Sequence, residues 1–186
     1  IQQRYPGVEF SQFMGAEMIA RKYGLAKDQL VAYALESHRR AKAATEAGAF
    51  AEEILPVLAW KQGEAAGGEL HTVDEGIRFD ASLKGIAGVK LLQQDGVITA
   101  ASASQICDGA AGVMLASEKA VKTFNVKPLA RIHHLSVMGH DPVVMLEAPI
   151  PATQAALRKA GLKISDIDAY EVNEAVAPVP LAWLQG

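Results

Sequence analysis

The stretch PIPATQAALRKAGLKISDIDAYEVNEA, residues 149–175, decides the fold class. Pro151 at its start and Gly161 near its middle predict a helix, because proline suits the first helical turn and glycine suits the position just after the last one. Residues 167–172 interleave apolar and polar side chains, which predicts a strand after that helix. A helix followed directly by a strand is typical of an α/β protein.

The chain upstream of this stretch contains further predicted elements. Helices are expected over residues 14–23, from an N-cap at Asp28 to an end at Gly48, over 83–87 and over 117–124. Strands are expected over 54–59, 96–100, 110–115 and 129–137, and residues 61–69 are expected to form a loop. The run 110–115 lacks polar alternation, which predicts a strand that is covered on both faces. The order of helices and strands again favours an α/β fold.

Composition excludes several classes of protein. Half of the 186 residues are apolar and the net charge is −3, from 18 basic and 21 acidic side chains, so neither disorder nor nucleic-acid binding is expected. One cysteine cannot form a disulfide framework, and no run of about 20 apolar residues could span a membrane. We therefore expect a cytoplasmic protein. The start at Ile1 and the apolar end at Gly186 predict an internal piece of a longer chain.

The predicted strand over 167–172 ends in Asn173 and Glu174, at the sheet edge where ligands bind in α/β proteins. An asparagine there can hold a water or donate to an oxyanion. The alternative is that Asn173 caps a following helix, and spacing alone favours the cap. The small-residue run over 99–112 offers the hydroxyls of Ser102 and Ser104 to a ligand, or packs as a buried turn.

Other chemically active side chains give weaker signals. Cys107 precedes an aspartate, whose negative charge disfavours the thiolate that a nucleophile needs, so a buried structural cysteine is expected. The five histidines show no metal-ligand spacing, the residues 140–142 predict a turn, and no metal site is expected. Arg78 either pairs with the nearby Asp74 and Glu75 or presents its guanidinium to an anionic or aromatic ligand.

Seven short segments together resemble the thiolase family (acetyl-CoA acyltransferases, 3-ketoacyl-CoA thiolases), and in particular its bacterial degradative lipid or steroid members. They occur in the family's order and at its spacing over nearly all of the chain. These segments are MGAE at 14–17, ESHRRA at 36–41, DEGIR at 74–78, DGAA at 108–111, PIPAT at 149–153, AGL at 160–162 and EVNEA at 171–175.

The resemblance implies a thiolase-like α/β mixed-sheet fold, with two similar halves and a helical loop domain inserted in the first. It places residues 1–95 in the inserted region, 96–145 at the end of the N-terminal half and 146–186 at the start of the C-terminal half. It also implies a homodimer or homotetramer.

The implied activity is thiolytic cleavage of 3-ketoacyl-CoA to acetyl-CoA and a shortened acyl-CoA, with coenzyme A as a substrate and no permanently bound cofactor. Asn173 matches the asparagine whose water stabilises the enolate oxygen of the thioester. Ser104 matches a serine near the pantetheine arm, Met14 and Met145 match pocket methionines, and Arg78 matches an arginine against the CoA adenine. The nucleophilic cysteine and activating histidine are expected outside residues 1–186, so this chain alone is not expected to turn over.

Some pocket positions depart from the family pattern. Phe13 stands where many thiolases have histidine, and Ser102 replaces an asparagine. Gln93 and Val176 replace phenylalanines, which predicts a wider tunnel and a bulky lipid or steroid-type acyl group. Prolines at 178 and 180 are expected to interrupt the helix after the EVNEA motif.

The alternative function is a thiolase-like subunit that binds acyl-CoA or lipid without catalysis. A ketosynthase is disfavoured because those enzymes use histidine at the position of Asn173.

Overall fold

The computed structural model describes residues 1–59 and 68–186. The chain forms two compact units. The first, here the terminal unit, comprises Ile1–Tyr23, Ile106–Glu174 and Pro178–Gly186. The second, here the central unit, comprises the described part of Gly24–Gln105 together with Ala175–Ala177.

In the terminal unit, helix α1 (Gln12–Lys22) buries one face against helix α6 (Pro178–Trp183). The buried side chains of α1 include Ala16, Ile19 and Ala20, which share a face because they recur at helical spacing. The helix stops before Gly24, whose φ of 63° only glycine adopts easily. This agrees with the predicted helix over 14–23.

The expectation that the prolines at 178 and 180 interrupt a helix is wrong, because α6 contains both of them. The first four N–H groups of a helix have no partner inside it, so a proline in that turn removes no hydrogen bond. Pro178 opens α6 and Pro180 lies in the same turn, and the carbonyl of Pro180 accepts from the N–H of Leu184 at 3.0 Å.

Helix α5 (Pro149–Ala160) confirms the predicted helix, although it begins two residues before Pro151. Gly161 follows it with a φ of 69°, and the N–H of Leu162 reaches back to the carbonyl of Leu157 at 3.0 Å. This is the glycine-dependent end that the sequence predicts. The indole N–H of Trp183 donates to the Thr153 hydroxyl at 2.9 Å, which ties α6 to α5.

The central unit is built on helix α2 (Lys27–Glu46), which buries Leu30, Val31 and Ala34. Helix α3 (Leu83–Ala87), as predicted, packs Ile86 against Val31 and Ala34. Asp28 is not the N-cap of α2. Ala26 occupies that position, and the Gln29 side chain accepts from the Ala26 N–H at 2.8 Å, while Asp28 lies in the first turn where its charge favours the helix dipole.

Strands β1 (Val57–Leu58) and β2 (Leu70–His71) form one antiparallel pair, with Val57 opposite His71 and Leu58 opposite Leu70. The predicted strand over 54–59 is thus reduced to two residues. The predicted loop over 61–69 lies outside the described residues except for its last two.

Four other predicted strands do not form. Residues 96–100 contribute a single bridge, from Thr99 to Leu91, before a 3₁₀ turn at Ala100–Ser102. Residues 110–115, 129–137 and 167–172 pair with no other segment of the described chain. Met114 is 90% exposed, so the expected two-sided burial of 110–115 is wrong. Apolar runs become strands only where a neighbouring strand accepts their hydrogen bonds.

Two shorter helical elements complete the terminal unit. Helix α4 (Glu118–Thr123) matches its prediction, and the Ser117 hydroxyl caps it by accepting from the N–H of Ala120 at 3.1 Å. A 3₁₀ turn at Ile164–Asp166 follows α5. None of the helices in the described ranges combines the length and apolar character that a bilayer crossing needs.

Candidate functional site

An open cleft of about 450 Å³ lies in the central unit, between α2, α3 and the segment that follows the 3₁₀ turn at 100–102. One side of the cleft is polar and contains His38, Arg78 and Gln105, whereas Ile86, Ala101 and Ala103 contribute apolar surface. A cleft of this size with few polar groups suits a ligand that has both a charged part and an apolar part.

Arg78 is held in the cleft by two long-range hydrogen bonds. Its backbone N–H donates to His38 Nδ1 at 3.2 Å, and its guanidinium Nη2 donates to Gln105 Oε1 at 3.1 Å. Gln105 Nε2 in turn donates to the carbonyl of Gly76 at 2.5 Å. Within the described chain the guanidinium forms no ion pair with Asp74, whose carboxylate accepts from the N–H of Gly76 at 2.7 Å. The exposed guanidinium therefore faces solvent and can meet an anionic or aromatic ligand.

Ser104 and Val176 lie close together in the central unit. The N–H of Ser104 donates to the carbonyl of Ala175 at 3.0 Å, and Ala103 forms a bridge with Val176. Val176 is only 1% exposed, whereas Ser104 is exposed. The structure thus brings three of the six expected site residues, Arg78, Ser104 and Val176, into one neighbourhood through residues 103–105.

The Ser102 hydroxyl serves the backbone of its own turn. It accepts from the Thr99 N–H at 3.0 Å and lies 3.1 Å from the Thr99 carbonyl, to which it donates. Ser102 is 5% exposed, as a buried turn requires, whereas Ser104 is exposed. Gln93, another position that departs from the family pattern, is half-buried.

Met14 and Met145 both belong to the terminal unit and are both half-buried. A Cβ on Gly15 would lie 2.6 Å from the carbonyl oxygen of Val144, so only glycine allows α1 to approach the chain next to Met145 this closely. Met145 itself has a φ of 45°, a left-handed conformation that is unusual for a side chain of this kind.

The turn predicted at 140–142 is present and shapes the backbone before Met145. The Asp141 carboxylate accepts from the N–H groups of Val143 at 2.7 Å and Val144 at 3.1 Å. The hydrogen bond from Val144, followed by that from Val143, holds the pKa of Asp141 below its usual value. The Asp141 carbonyl also accepts from the Met145 N–H at 2.8 Å.

Glu147 is a functional candidate that sequence reasoning missed. It is 6% exposed, and its carboxylate accepts from Lys22 Nζ at 2.5 Å and the Tyr23 hydroxyl at 2.6 Å, with His140 Nε2 at 3.2 Å. A glutamate in an otherwise apolar run before a proline-started helix was its only sequence signal, and its partners in α1 lie more than 120 positions away. Gln105 was also missed, because its partners Arg78 and Gly76 lie 27 and 29 positions away in the sequence.

Asn173 is exposed in the terminal unit. It does not cap a helix, because α6 begins only at Pro178, so the capping alternative is wrong. Its side-chain amide forms no hydrogen bond with any residue of the described ranges, and it can therefore serve a water or a ligand.

The expectation that Cys107 is buried is also wrong: it is a free, exposed cysteine, since its extended segment is not covered by the described chain. No group of three His, Cys, Asp or Glu side chains in 1–59 and 68–186 is arranged to hold a metal ion.

Comparisons with known proteins cover nearly the whole chain. The family model of the thiolase N-terminal domain matches residues 8–119, and that of the thiolase C-terminal domain matches residues 126–186. The chain is 51% identical over 182 residues to the steroid 3-ketoacyl-CoA thiolase FadA6 of Mycobacterium tuberculosis, which covers 98% of this chain and 43% of that protein. The chain thus spans less than half the length of this curated relative.

Solved thiolase structures have folds similar to that of this chain. The Bacillus anthracis acetyl-CoA acetyltransferase superposes with a TM-score of 0.90 at 34% identity, over 97% of this chain and 45% of that one. Human mitochondrial 3-ketoacyl-CoA thiolase in complex with CoA superposes with a TM-score of 0.82 at 41% identity, over 92% and 42%. These likenesses confirm the thiolase-like fold class, although most of the expected strands are not paired within the described residues. On the family models and the identity together, the chain belongs to the thiolase family.

Proposed function

We propose that the protein carrying this chain is an acyl-CoA acyltransferase that cleaves 3-ketoacyl-CoA to acetyl-CoA and a shortened acyl-CoA, in a degradative direction. The observation that carries this proposal is the 51% identity to a steroid 3-ketoacyl-CoA thiolase over 98% of the chain. In the proposed reaction the nucleophilic cysteine and the activating histidine would lie outside residues 1–186, and Cys107 is not the nucleophile.

Asn173 is the catalytic residue that this chain contributes. Cleavage leaves negative charge on the enolate oxygen of the acetyl thioester, and an amide that holds a water against that oxygen stabilises the charge as it develops. The exposed, unbonded amide of Asn173 in the described structure supports this role, because no internal hydrogen bond has to break before a water binds.

Coenzyme A is the substrate whose binding falls to the central unit. Arg78 would meet the adenine with its guanidinium face, and Ser104 would lie near the pantetheine arm. The cleft beside Arg78 supports this, as does the exposed position of Ser104 one residue from Gln105, which holds the Arg78 guanidinium. The human mitochondrial 3-ketoacyl-CoA thiolase, which is similar to this chain, has been solved in complex with CoA.

Met14 and Met145 would contact the acyl and pantetheine moieties. Val176 would also bind substrate, and the acyl group would be bulky, of lipid or steroid type. Support comes from the smaller Val176 and the polar Gln93 at positions where the family has phenylalanine, together with the 51% identity to a steroid 3-ketoacyl-CoA thiolase. Methionine side chains adapt to irregular apolar ligands, which suits such a pocket.

The domain assignment and the assembly rest on the resemblance. Residues 1–95 would form the inserted loop region, which the helices α1, α2 and α3 support. Residues 96–145 would end the N-terminal half and 146–186 would begin the C-terminal half. A homodimer or homotetramer in the cytoplasm is the corresponding proposal for the whole protein.

The second candidate is a thiolase-like subunit that binds acyl-CoA or lipid without catalysis. The departures at Gln93 and Val176 favour it, since both change the pocket. The two candidates differ in whether Asn173 takes part in chemistry.

The test uses the full-length protein that contains residues 1–186, assayed for thiolysis of acetoacetyl-CoA and of a steroid side-chain 3-ketoacyl-CoA. Asn173→Ala should lower kcat by roughly 10²–10³, the scale of losing one oxyanion donor. Asn125→Gly is the matched control: it removes the other asparagine amide of the chain at a site with a φ of 49°, which glycine tolerates.

Unchanged turnover in Asn173→Ala would remove this residue from the mechanism. A wild-type protein that binds the CoA esters but cleaves neither would overturn the enzyme and establish the binding subunit. Preference for acetoacetyl-CoA over the steroid ester would overturn the bulky acyl group while leaving thiolysis in place.

A further inference from the structure

Glu147 is a buried carboxylate that the proposed reaction does not use. It lies two residues after Met145 and two residues before Pro149, where α5 begins, and it is 6% exposed. Each carboxylate oxygen has its own partners. Oε1 accepts from Lys22 Nζ at 2.5 Å and from the Tyr23 hydroxyl at 2.6 Å, and Oε2 lies 3.2 Å from His140 Nε2. Both oxygens are thus occupied by side chains of the terminal unit.

Burial by itself would raise the pKa of Glu147, because a charged carboxylate loses its hydration. Hydrogen bonds from Lys22, Tyr23 and His140, together with the positive charge of Lys22, outweigh this and hold the pKa of Glu147 below its ordinary value. The carboxylate is therefore ionised at neutral pH. A buried charge of this kind is tolerated only while its donors stay in place, so it penalises any movement of those donors.

The donors belong to two different segments. Lys22 and Tyr23 form the C-terminal end of α1, whereas His140 opens the turn whose backbone leads to Met145. Glu147 consequently joins the end of α1 to both ends of the turn over 140–147.

A second contact joins the other end of α1 to the same turn. The backbone of Gly15 lies against the carbonyl of Val144, so closely that a Cβ there would be 2.6 Å from that oxygen. Met14 and Met145 are the immediate neighbours of these two residues, and the positive φ of Met145 persists only where the surroundings hold it. The helix is thus held at two points, and the two methionines lie next to one of them.

We propose that Glu147 is a positioning residue for the acyl pocket: by holding the end of α1 and the turn over 140–147 on one carboxylate, it keeps Met14 and Met145 in place and sets the acyl size that the site accepts. This inference rests on the proposed function, which places the two methionines at the acyl and pantetheine moieties. Glu147 itself is not expected to touch the substrate.

The test is Glu147→Gln in the full-length protein. Glutamine keeps the shape and an acceptor oxygen but lacks the charge that holds Lys22. We expect the KM for a bulky 3-ketoacyl-CoA to change by about tenfold, as the loss of one charge-assisted hydrogen bond implies. The KM for acetoacetyl-CoA and the kcat values should change less than about twofold, because the small acyl group does not depend on the pocket wall.

Two further variants complete the design. Glu118→Gln removes a carboxylate from an exposed ion pair with Lys122, at 2.8 Å, and should leave every kinetic constant unchanged. Tyr23→Phe removes one donor to Glu147 without a change of charge and should reproduce the acyl-selective effect at smaller size. If Glu147→Gln does not fold, Tyr23→Phe alone tests the positioning role of Glu147.

A readout independent of activity uses protein labelled with ¹³C at the methionine methyl groups. Glu147→Gln should shift the Met14 and Met145 resonances and leave that of the exposed Met114 unchanged. Unshifted Met14 and Met145 resonances, or a KM change equal for all acyl sizes, would overturn the positioning role. Methyl shifts without any thiolase activity of the wild-type protein would instead overturn the proposed function and, with it, the effect on acyl size, and would leave only the placement of the two methionines by Glu147.

Discussion

Gln105 shows how one uncharged side chain orders the cleft of the central unit. Its amide oxygen accepts from the Arg78 guanidinium and its amide nitrogen donates to the Gly76 carbonyl, so a single side chain bridges the 74–78 loop and the segment after Ser104. An exposed arginine otherwise samples many rotamers and loses that freedom when it binds a ligand. Gln105 therefore lowers the entropic cost of presenting the guanidinium.

Gln105→Ala in the full-length protein should raise the KM for coenzyme A about three- to tenfold with kcat unchanged. The reason is that a net hydrogen bond contributes about 0.5–1.5 kcal/mol, and this one positions Arg78, the side chain that we propose to bind CoA. Steady-state kinetics with varied CoA measure the effect. Gln154→Ala, an exposed glutamine on α5, is the matched control. An equal KM for both variants would mean that Arg78 needs no support from Gln105.

At the scale of elements, the helices of this chain are set by local signals at their ends. Helix α4 begins at its Ser117 cap, and α5 runs from its prolines to Gly161. Helix α6 shows the limit of such signals, because two prolines that suggest an interruption are accommodated within the first turn. The position of a proline relative to the helix start decides whether it breaks the helix.

Gly161→Ala should lower the free energy of unfolding by about 1 kcal/mol, the usual cost of a left-handed conformation at a residue with a Cβ. No atom lies within 4 Å of the position a Cβ would take there, so the cost arises from the φ of 69° alone. Urea denaturation measures it. Gly112→Ala is the control, since that Cβ also meets nothing and its φ is not positive. Equal stability of the two variants would show that Gly161 does not fix the end of α5.

At the scale of the whole molecule, paired carboxylates dominate the response to pH. Hydrogen bonds from Arg39 and then Arg40 lower the pKa of Glu36 to about 2, and the pKa values of Asp141 and Glu147 also lie below normal. The unfolded chain therefore takes up more protons than the folded chain as the pH falls. The stability that these groups contribute is present above their unfolded pKa and is lost as the pH falls through their folded pKa.

Thermal unfolding of the full-length protein should show this acid dependence, with Tm falling below about pH 4.5. Glu147→Gln should have a lower Tm than wild type at pH 7, and the difference should shrink as the pH falls, because protonated glutamate resembles glutamine. Lys22, Tyr23 and His140 are the groups that face Glu147, and the raised pKa values of Lys22 and Tyr23 add a loss of stability only above about pH 10. A Tm difference that stays constant from pH 7 to pH 3 would contradict the assigned ionisation.

The amino-acid sequence by itself determined the family, most of the helices and those candidate residues that lie in the thiolase motifs. Helix ends depend on side chains within a few positions, so α1, α3, α4 and α5 follow from local patterns, and Asn173 is recognisable from its motif. The error at Asp28 was also local: Ala26 and Gln29 supply the cap instead.

Only the tertiary structure decided which apolar runs form strands and which polar groups are paired. Residues 110–115 and 129–137 have strand composition, yet pairing depends on a neighbour that is distant in sequence, and none lies in the described chain. The partners of Arg78 and Glu147 lie 27 and up to 125 positions away, at Gln105 and Lys22. Such contacts leave no periodicity in the sequence, because what selects them is the folded path that brings the two segments together.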